Sequence, residues 1–327
     1  MTINELNTVK RLTRWEQTPS ALGFADDAAL ISVAEGRSLV LSQDALVENI
    51  DFTRATFSAA DVAHKALAEN LSDLAAMGAT PRWFLQTLCL PDWVSETWID
   101  DYSVGSRELA KRFGVSLLGG DLSRIVGPLV ISMAVIGEVS KEKILRRKVG
   151  QIGDVLCVGG YLGRAGAGLL ALQKGFENDY PSLVKAQRRP EPQIELGLFL
   201  NNEIGCHGAM DLSDGLAQDL KRFLPDQLGA TIFADAIPIN HETQKFARQT
   251  GCDVITLALS GGEDFVLLFA VAKECKPDLF HRAQKAGFSV YEIGQIEEVP
   301  GLHCILSSGN EMPWPQGFDH FSEIRCM

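Results

Sequence analysis

The chain of 327 residues has no apolar run approaching the roughly 20 residues that span a bilayer. The longest, around residues 129–137, suits a buried strand. The opening stretch MTINELNTVKRLTRW holds no apolar signal core, so export is not expected. Positive charge is scarce: 30 Lys and Arg against 42 Asp and Glu leave a net charge of −12 and a pI near 5.0. That balance argues against a nucleic-acid or anionic-membrane surface, and an anionic substrate would need local devices such as metals to overcome the field. Seven cysteines, at 89, 157, 206, 252, 275, 304 and 326, form no CxxC pair and are odd in number, so reduced thiols are expected rather than disulfides. A soluble cytoplasmic protein without nucleic-acid or membrane partners fits these absences. The familiar catalytic signatures are missing as well. There is no GxxxxGK[ST] loop, no GxGxxG with a downstream HRD, no GxSxG and no HExxH, and the six histidines are dispersed.

What is present is an ordinary globular mix, 46% hydrophobic and 22% charged, in a chain longer than one core usually carries. Two domains are expected, 1–140 and 141–327, divided at the charged stretch KEKILRRK (141–148) that separates two apolar runs. A helix is expected over 61–77, with Asp61 as its N-cap and Gly78 as its stop. Val62, Ala66, Asn70 and Asp73 then share one stripe of a 3.6-residue helix, which places a carboxylate on an apolar face. Strands are expected at 29–32, 39–42, 116–118, 129–139, 155–158, 231–234, 265–271 and 291–295. Helices are expected at 95–113, 165–173, 193–203, 215–223 and 277–286. Strands and helices mix in both halves, so the fold class is α/β or α+β. The glycine-rich stretch 159–168 follows a strand and opens a helix. It reads either as tight strand–helix packing or as an anion site at the helix N-terminus.

Many carboxylates sit beside Ala, Leu and Gly at the ends of expected strands. They are Asp26 and Asp27 (GFADDAAL), Asp44 (LSQDAL), Asp73 (NLSDLAAMGA), Asp121 (GGDLSR), Asp211 and Asp214 (MDLSDGL), and Glu263 and Asp264 (SGGEDF). Each alone reads as a cap or turn residue. As a set they point to convergence, and two carboxylates about 4 Å apart repel by roughly 4 kcal/mol at an effective dielectric near 20. Oxygen-only donors select Mg²⁺, Mn²⁺ or Ca²⁺ over zinc, and Mg²⁺ with polyphosphate is the commonest use of such a site. No convincing general base is present. A phosphate monoester acceptor, with its second pKa near 6, needs none.

The motifs GFADDAAL, LSQDALVE, KALAENLSDLAAMGATP, GGDLSR, AMDLSDGLAQDL, LSGGEDFVLLF and WPQGFDHF, in this order, resemble the thiamine-monophosphate kinase family. That family is a branch of the aminoimidazole ribonucleotide synthetase and selenophosphate synthetase superfamily. The resemblance runs from about residue 20 to residue 321. It implies a two-domain aminoimidazole ribonucleotide synthetase-like fold, a homodimer whose N-terminal domains share a β-barrel, and an α/β C-terminal domain. It also implies ATP with several Mg²⁺ ions, and direct in-line transfer of the γ-phosphoryl group to thiamine monophosphate. The matching metal positions are Asp27, Ser42, Gln43, Asp44, Asp73, Asp121, Asp211 and Asp214. Gly120, Arg147 and Ser213 match nucleotide-contacting positions. Glu263 and Phe318 match positions at the thiamine end, and Asp51 aligns with a substrate-contacting His.

The chain also departs from the family pattern. Ala25 stands where Gly is usual, Gln43 where Thr is usual, and Arg164 where Asp is usual. Lys148, Val149 and Gly150 replace a Ser-Gly-Ala that follows the arginine. Gln43 serves as a metal ligand only through its backbone carbonyl, and Asp51 would repel an acceptor phosphate unless a metal intervenes. The departures keep two alternatives open: a diverged relative acting on another small phosphate ester, and a nucleotide- or thiamine phosphate-binding protein with little turnover. Selenophosphate synthetase fits less well, because no cysteine precedes Cys89.

Overall fold

The computed structural model describes residues 4–24 and 27–318, so Ala25, Asp26 and Cys326 lie outside the described residues. The chain forms two compact units, Met1–Ile144 with Arg188–Ile194, and Leu145–Gln187 with Glu195–Met327.

The first unit contains α1 (Glu5–Thr13), β1 (Arg37–Val47), α2 (Ala59–Ala76), β2 (Thr80–Leu90), α3 (Glu96–Phe113), β3 (Ser116–Arg124) and β4 (Val130–Ser140). Its four-stranded sheet runs β1-β4-β2-β3, antiparallel except for the parallel β2–β3 pair. Helix α2 packs on β1 and β4 and against α3. Leu67, Leu71 and Leu74 of α2 are completely buried, each stabilising the unit by about 2 kcal/mol. The N-cap of α2 is Ser58 rather than Asp61, because the two residues form a capping box. Ser58 Oγ accepts the Asp61 amide, and the Asp61 carboxylate accepts the Ser58 amide. Gly78, at φ +64°, stands just beyond the C-cap, as expected of a stop. Ser95, expected as the first helical residue, is instead the N-cap of α3, its side chain accepting the Trp98 amide. Residues 188–194 cluster with this unit through Arg189 Nε on Asp61 Oδ1 at 2.5 Å and the Pro190 carbonyl against His64 Nε2 at 2.9 Å.

Two expectations about this unit need correction. Residues 29–32 form no strand; the chain pairs only from Arg37. Strand β3 does not stop at Leu118 but runs through Gly119, Gly120 and Asp121 to Arg124. The pairing shifts register between Phe84 and Leu85, and beyond that irregularity the missing side chain of Gly120 lets β3 approach the Gln86 backbone of β2.

The second unit contains β5 (Val155–Val158), α4 (Arg164–Lys174), α5 (Pro181–Arg188), α6 (Ile194–Leu200), β6 (Cys206–Asp211), α7 (Leu216–Phe223) and β7 (Gly229–Phe233). It continues with α8 (His241–Thr250), α9 (Val254–Ser260), β8 (Leu267–Val271), α10 (Lys276–Lys285), β9 (Tyr291–Glu297), β10 (Leu302–Ile305) and β11 (Glu311–Met312). Its seven strands run β11-β10-β7-β9-β5-β8-β6, with only β10 and β7 parallel. β5 and β8 are buried along their whole length, as the unbroken apolar runs Val-Leu-Cys-Val and Leu-Leu-Phe-Ala-Val require. All six described cysteines are free thiols. Lost hydration pushes the Cys206 thiol up to about 12, which keeps it protonated at neutral pH. Among the described residues no helix is long and apolar enough to cross a membrane.

Candidate active site

In the first unit, the two-residue alternation of β1 turns Ser42, Asp44 and Leu46 toward α2 and leaves Leu41 and Gln43 on the opposite face. Helix α2 answers with Asn70 and Asp73, one turn apart. Asn70 is 1% exposed and spends both ends of its amide: Nδ2 donates to Ala66 O at 2.9 Å, and Oδ1 accepts the Asp44 backbone amide at 3.0 Å. It thereby locks the height of β1 against the helix. Ser42 Oγ donates to Asp73 Oδ2. Lost hydration raises the Asp44 carboxyl first, and the adjacent Asp73 carboxylate raises it further by charge and by a hydrogen bond, to about 6. Ser42, Asp44 and Asp73 thus form an all-oxygen donor set in which two acids oppose each other. That chemistry fits a hard divalent cation such as Mg²⁺.

The other predicted positions of this unit lie elsewhere in it. Gln43 Nε2 donates to Ser132 Oγ on β4 at 2.9 Å, so its side chain is taken up by the sheet. Asp27 is exposed, just before a stretch without regular structure. Asp121 and Gly120 lie on β3, at the edge opposite β1. With β4 and β2 between them, Asp121 and Asp44 are three strand spacings apart, about 14 Å. Asp51 Oδ2 accepts the Val47 amide at 2.7 Å and closes the turn after β1, in which Asn49 takes φ +70°.

In the second unit Asp211, 7% exposed, ends β6 and leads into the turn Leu212–Gly215. Three neighbours hold that turn. Ser213 O accepts the Glu263 amide at 2.7 Å, Leu212 O accepts the Phe265 amide at 3.0 Å, and Asp214 O accepts the Phe318 amide at 3.3 Å. The predicted residues Ser213, Asp214, Glu263 and Phe318 are therefore brought together through their backbones. Glu263 sits at φ +67°, unusual for a side chain of its size, and its Oε2 accepts Gln187 Nε2 at 2.5 Å. Arg147 lies exposed on the segment before β5.

Three further residues matter here: Asp264, which the sequence marks among the conspicuous acids without giving it a ligand role, and Asp219 and Arg222, which it does not single out. Asp264 is partly buried, and its carboxylate accepts the amides of Gly163 at 2.5 Å and Ala165 at 2.8 Å. Of the two readings of the glycine-rich stretch, an external anion site is thus pre-empted by the protein's own acid, which caps the helix N-terminus. Burial raises Asp264 to about 6 despite those amides. Asp219, 0% exposed, accepts the Asp214 amide at 2.9 Å and pairs with Arg222 at 3.1 Å. Burial, and then the charge of Asp214, raise Asp219 to about 7. Arg222 also pairs with the Asp214 carboxylate. The one sequence signal for Asp219 was a charged residue on the apolar stripe of α7. Among the described residues no three His, Cys, Asp or Glu side chains gather as a ready metal site.

The fold and the acid-bearing strands define a class. The family model described as AIR synthase related protein, N-terminal domain, matches residues 25–139, and its C-terminal counterpart matches residues 151–307. A thiamine-monophosphate kinase of Haemophilus influenzae is 37% identical over 99% of this chain and 100% of its own length. A crystal structure of thiamine-monophosphate kinase from Stenotrophomonas maltophilia superposes with a TM-score of 0.83 at 34% identity, covering 95% of this chain and 99% of that one. AaThiL complexed with AMPPCP and TMP gives a TM-score of 0.78 at 27% identity, covering 90% of this chain and 91% of that one. The chain belongs to the thiamine-monophosphate kinase family, whose members are phosphotransferases.

Proposed function

We propose that the chain transfers the γ-phosphoryl group of ATP to thiamine monophosphate, giving thiamine diphosphate and ADP. An oxygen of the acceptor phosphate forms the new bond to the γ-phosphorus in line with the bond to the leaving ADP oxygen. The acceptor is already largely ionised at neutral pH, so no side chain has to remove a proton. The observation that carries this reading is the opposed Asp44–Asp73 pair with Ser42, in a chain whose family relatives match along almost their full length. The AaThiL complex with AMPPCP and TMP supports ATP and the thiamine phosphate as co-substrates.

Ser42, Gln43 through its backbone, Asp27, Asp44, Asp73, Asp121, Asp211 and Asp214 are the proposed Mg²⁺ ligands. Bound Mg²⁺ would neutralise charge on the phosphate oxygens. Gly120, Arg147 and Ser213 are the proposed ATP contacts, and Glu263 and Phe318 the thiamine contacts. A cytoplasmic homodimer with a shared barrel belongs to the same proposal. Two facts support the dimer: Leu41, 66% exposed, and Leu85, 36% exposed, lie on the sheet face away from α2, and Asp44 and Asp121 sit on opposite edges.

The test is a coupled ADP-release assay with ATP, Mg²⁺ and thiamine monophosphate, with the product identified by chromatography. Thiamine diphosphate at a turnover near 1 s⁻¹, roughly the low end for enzymes, is expected. ATP binding without thiamine diphosphate formation would refute the reading. It would favour the second one, phosphorylation of another small phosphate ester, which rests on Asp51 and Arg164.

A further inference from the structure

The turn that carries Asp214 is fixed from within the second unit. Asp219 lies one turn into α7 with no exposed surface. Its Oδ2 accepts the Asp214 amide at 2.9 Å, and its Oδ1 faces Arg222 Nη1 at 3.1 Å. The same guanidinium nitrogen donates to the Asp214 carboxylate. The turn has no room to relax around these contacts. A Cβ on Gly215 would stand 3.0 Å from the Ser260 carbonyl carbon, and one on Gly262 would stand 2.6 Å from Ser213 O.

The two carboxylates that share Arg222 are not equivalent. Asp219 is sealed and committed to the backbone, whereas the Asp214 side chain is 20% exposed and Arg222 is 44% exposed. An incoming cation can therefore reach Asp214 but not Asp219. Arg222 can release Asp214 without stranding a buried charge, because its planar fork of donors keeps Asp219. Removing Arg222 from both acids at once would leave Asp219 buried and unpaired, so Asp219 sets the limit of its travel.

We propose that Arg222 is the resident counter-cation of Asp214, exchanged for a divalent metal ion, and that Asp219 is the positioning residue anchoring both the arginine and the turn. The inference rests on the proposed reading of Asp214 as a metal ligand. It makes the first cost of metal binding the breaking of one half-exposed ion pair. Losing the arginine should therefore tighten metal binding, an effect that simple structural damage does not produce.

The experiment is a Mn²⁺ titration of the full-length, nucleotide-free chain, read by calorimetry, with thermal melts at zero and saturating Mn²⁺. Arg222→Met keeps the aliphatic stem and removes the charge. It is expected to bind Mn²⁺ about three- to tenfold more tightly than the wild type, to melt lower without metal, and to gain more on Mn²⁺ addition. Arg222→Gln, which retains hydrogen-bond donors without charge, is expected to do the same and serves if the Met variant does not fold. Asp219→Asn leaves Arg222 to Asp214 alone and is expected to weaken Mn²⁺ binding, with Arg222→Met in the same chain restoring it. Equal or weaker Mn²⁺ affinity in folded Arg222→Met and Arg222→Gln, while the wild type binds Mn²⁺, overturns the exchange and leaves the metal assignment standing. A wild type that takes up no Mn²⁺, with or without AMPPCP, overturns both.

Discussion

Gly119 and Gly120 offer a matched pair of substitutions in which only one physical effect differs. Both sit in β3 at nearly the same backbone conformation, φ +156° and +153°, in a region that essentially only glycine occupies. Replacing either with alanine costs about 1–3 kcal/mol for that strain. The surroundings of the new methyl group then separate them. At Gly119 its nearest neighbour is Leu85 Cδ2 at 3.8 Å, an ordinary contact. At Gly120 it would lie 1.7 Å from the Gln86 carbonyl oxygen and 2.6 Å from the carbonyl carbon, both backbone atoms of the paired strand. No rotamer relieves that clash, so β3 must move off β2 by roughly 1.5 Å against an inter-strand spacing of about 4.8 Å. The hydrogen bonds flanking the position are lost, at about 1 kcal/mol each, together with packing beside them. Gly120→Ala is therefore expected to cost about 3 kcal/mol more than Gly119→Ala. In a domain of this size that is roughly 6–12 °C of additional Tm loss. Thermal and urea unfolding followed by far-UV circular dichroism would measure it. Equal shifts for the two variants, within about 1 kcal/mol, would refute the argument that backbone contact with Gln86 dictates glycine at 120.

Asp44→Asn is expected to remove turnover by more than the roughly 10–100-fold that even the outer partners of metal ligands are worth, and steady-state kinetics at saturating ATP would read it. Near-normal activity would dismantle the Asp44–Asp73 argument. Asp264 is raised to about 6 in the folded chain, so the folded state holds more protons than the unfolded one between about pH 4 and 6. Stability should fall by up to roughly 3 kcal/mol as pH rises through that window and then level off. Asp264→Asn should flatten that slope, and an unchanged slope in urea melts at pH 4–7 would exclude the assignment. Leu41→Arg, on the sheet face away from α2, should convert a dimer to a monomer in sedimentation while leaving the circular dichroism spectrum intact. A monomeric wild type would remove the dimer from the proposal.

Legibility in the sequence followed the range of the interactions. Helix α2 could be read because Val62, Ala66 and Asn70 repeat at helical spacing, yet its cap was placed at Asp61 because a capping box makes two adjacent candidates partners rather than rivals. The four residues of β5 stand where their apolar run put them, since a fully buried strand needs little else. Residues 29–32 look equally strand-like, but no neighbouring strand takes them up. Each acid was conspicuous by its apolar context, whereas its company was not. That Asp44 meets Asp73 depends on Asn70 setting β1 against α2, a contact across 26 positions in sequence. The sequence left residues 159–168 open between tight packing and an anion site, because the acid that caps them, Asp264, lies 99 positions beyond Ala165.

Strand order carries the argument one step beyond any single contact. Asp44 and Asp121 stand out equally in sequence, and both fall on edge strands, but on opposite edges of one sheet. A sheet of four strands with a right-handed twist cannot curl enough to bring its own edges together, whereas two such sheets can close edge to edge as eight strands. In the proposed dimer β1 of one protomer would then lie beside β3 of its partner, and the two aspartates could serve one cation cluster. The exposed Leu41 and Leu85 would fill the interior such a closure creates. The glycine pair has a place in the same scheme. Gly120 lets β3 approach the Gln86 backbone of β2 beside Asp121, so the geometry of that edge depends on a residue with no side chain. A mixed dimer tests the linkage: one protomer carrying Asp44→Asn and the other Asp121→Asn should retain about half of the sites if the aspartates act across protomers. In one half of such a dimer both substitutions fall in one site and in the other half neither does. If the aspartates act within one chain, every site of the mixed dimer carries one lesion, and activity should vanish.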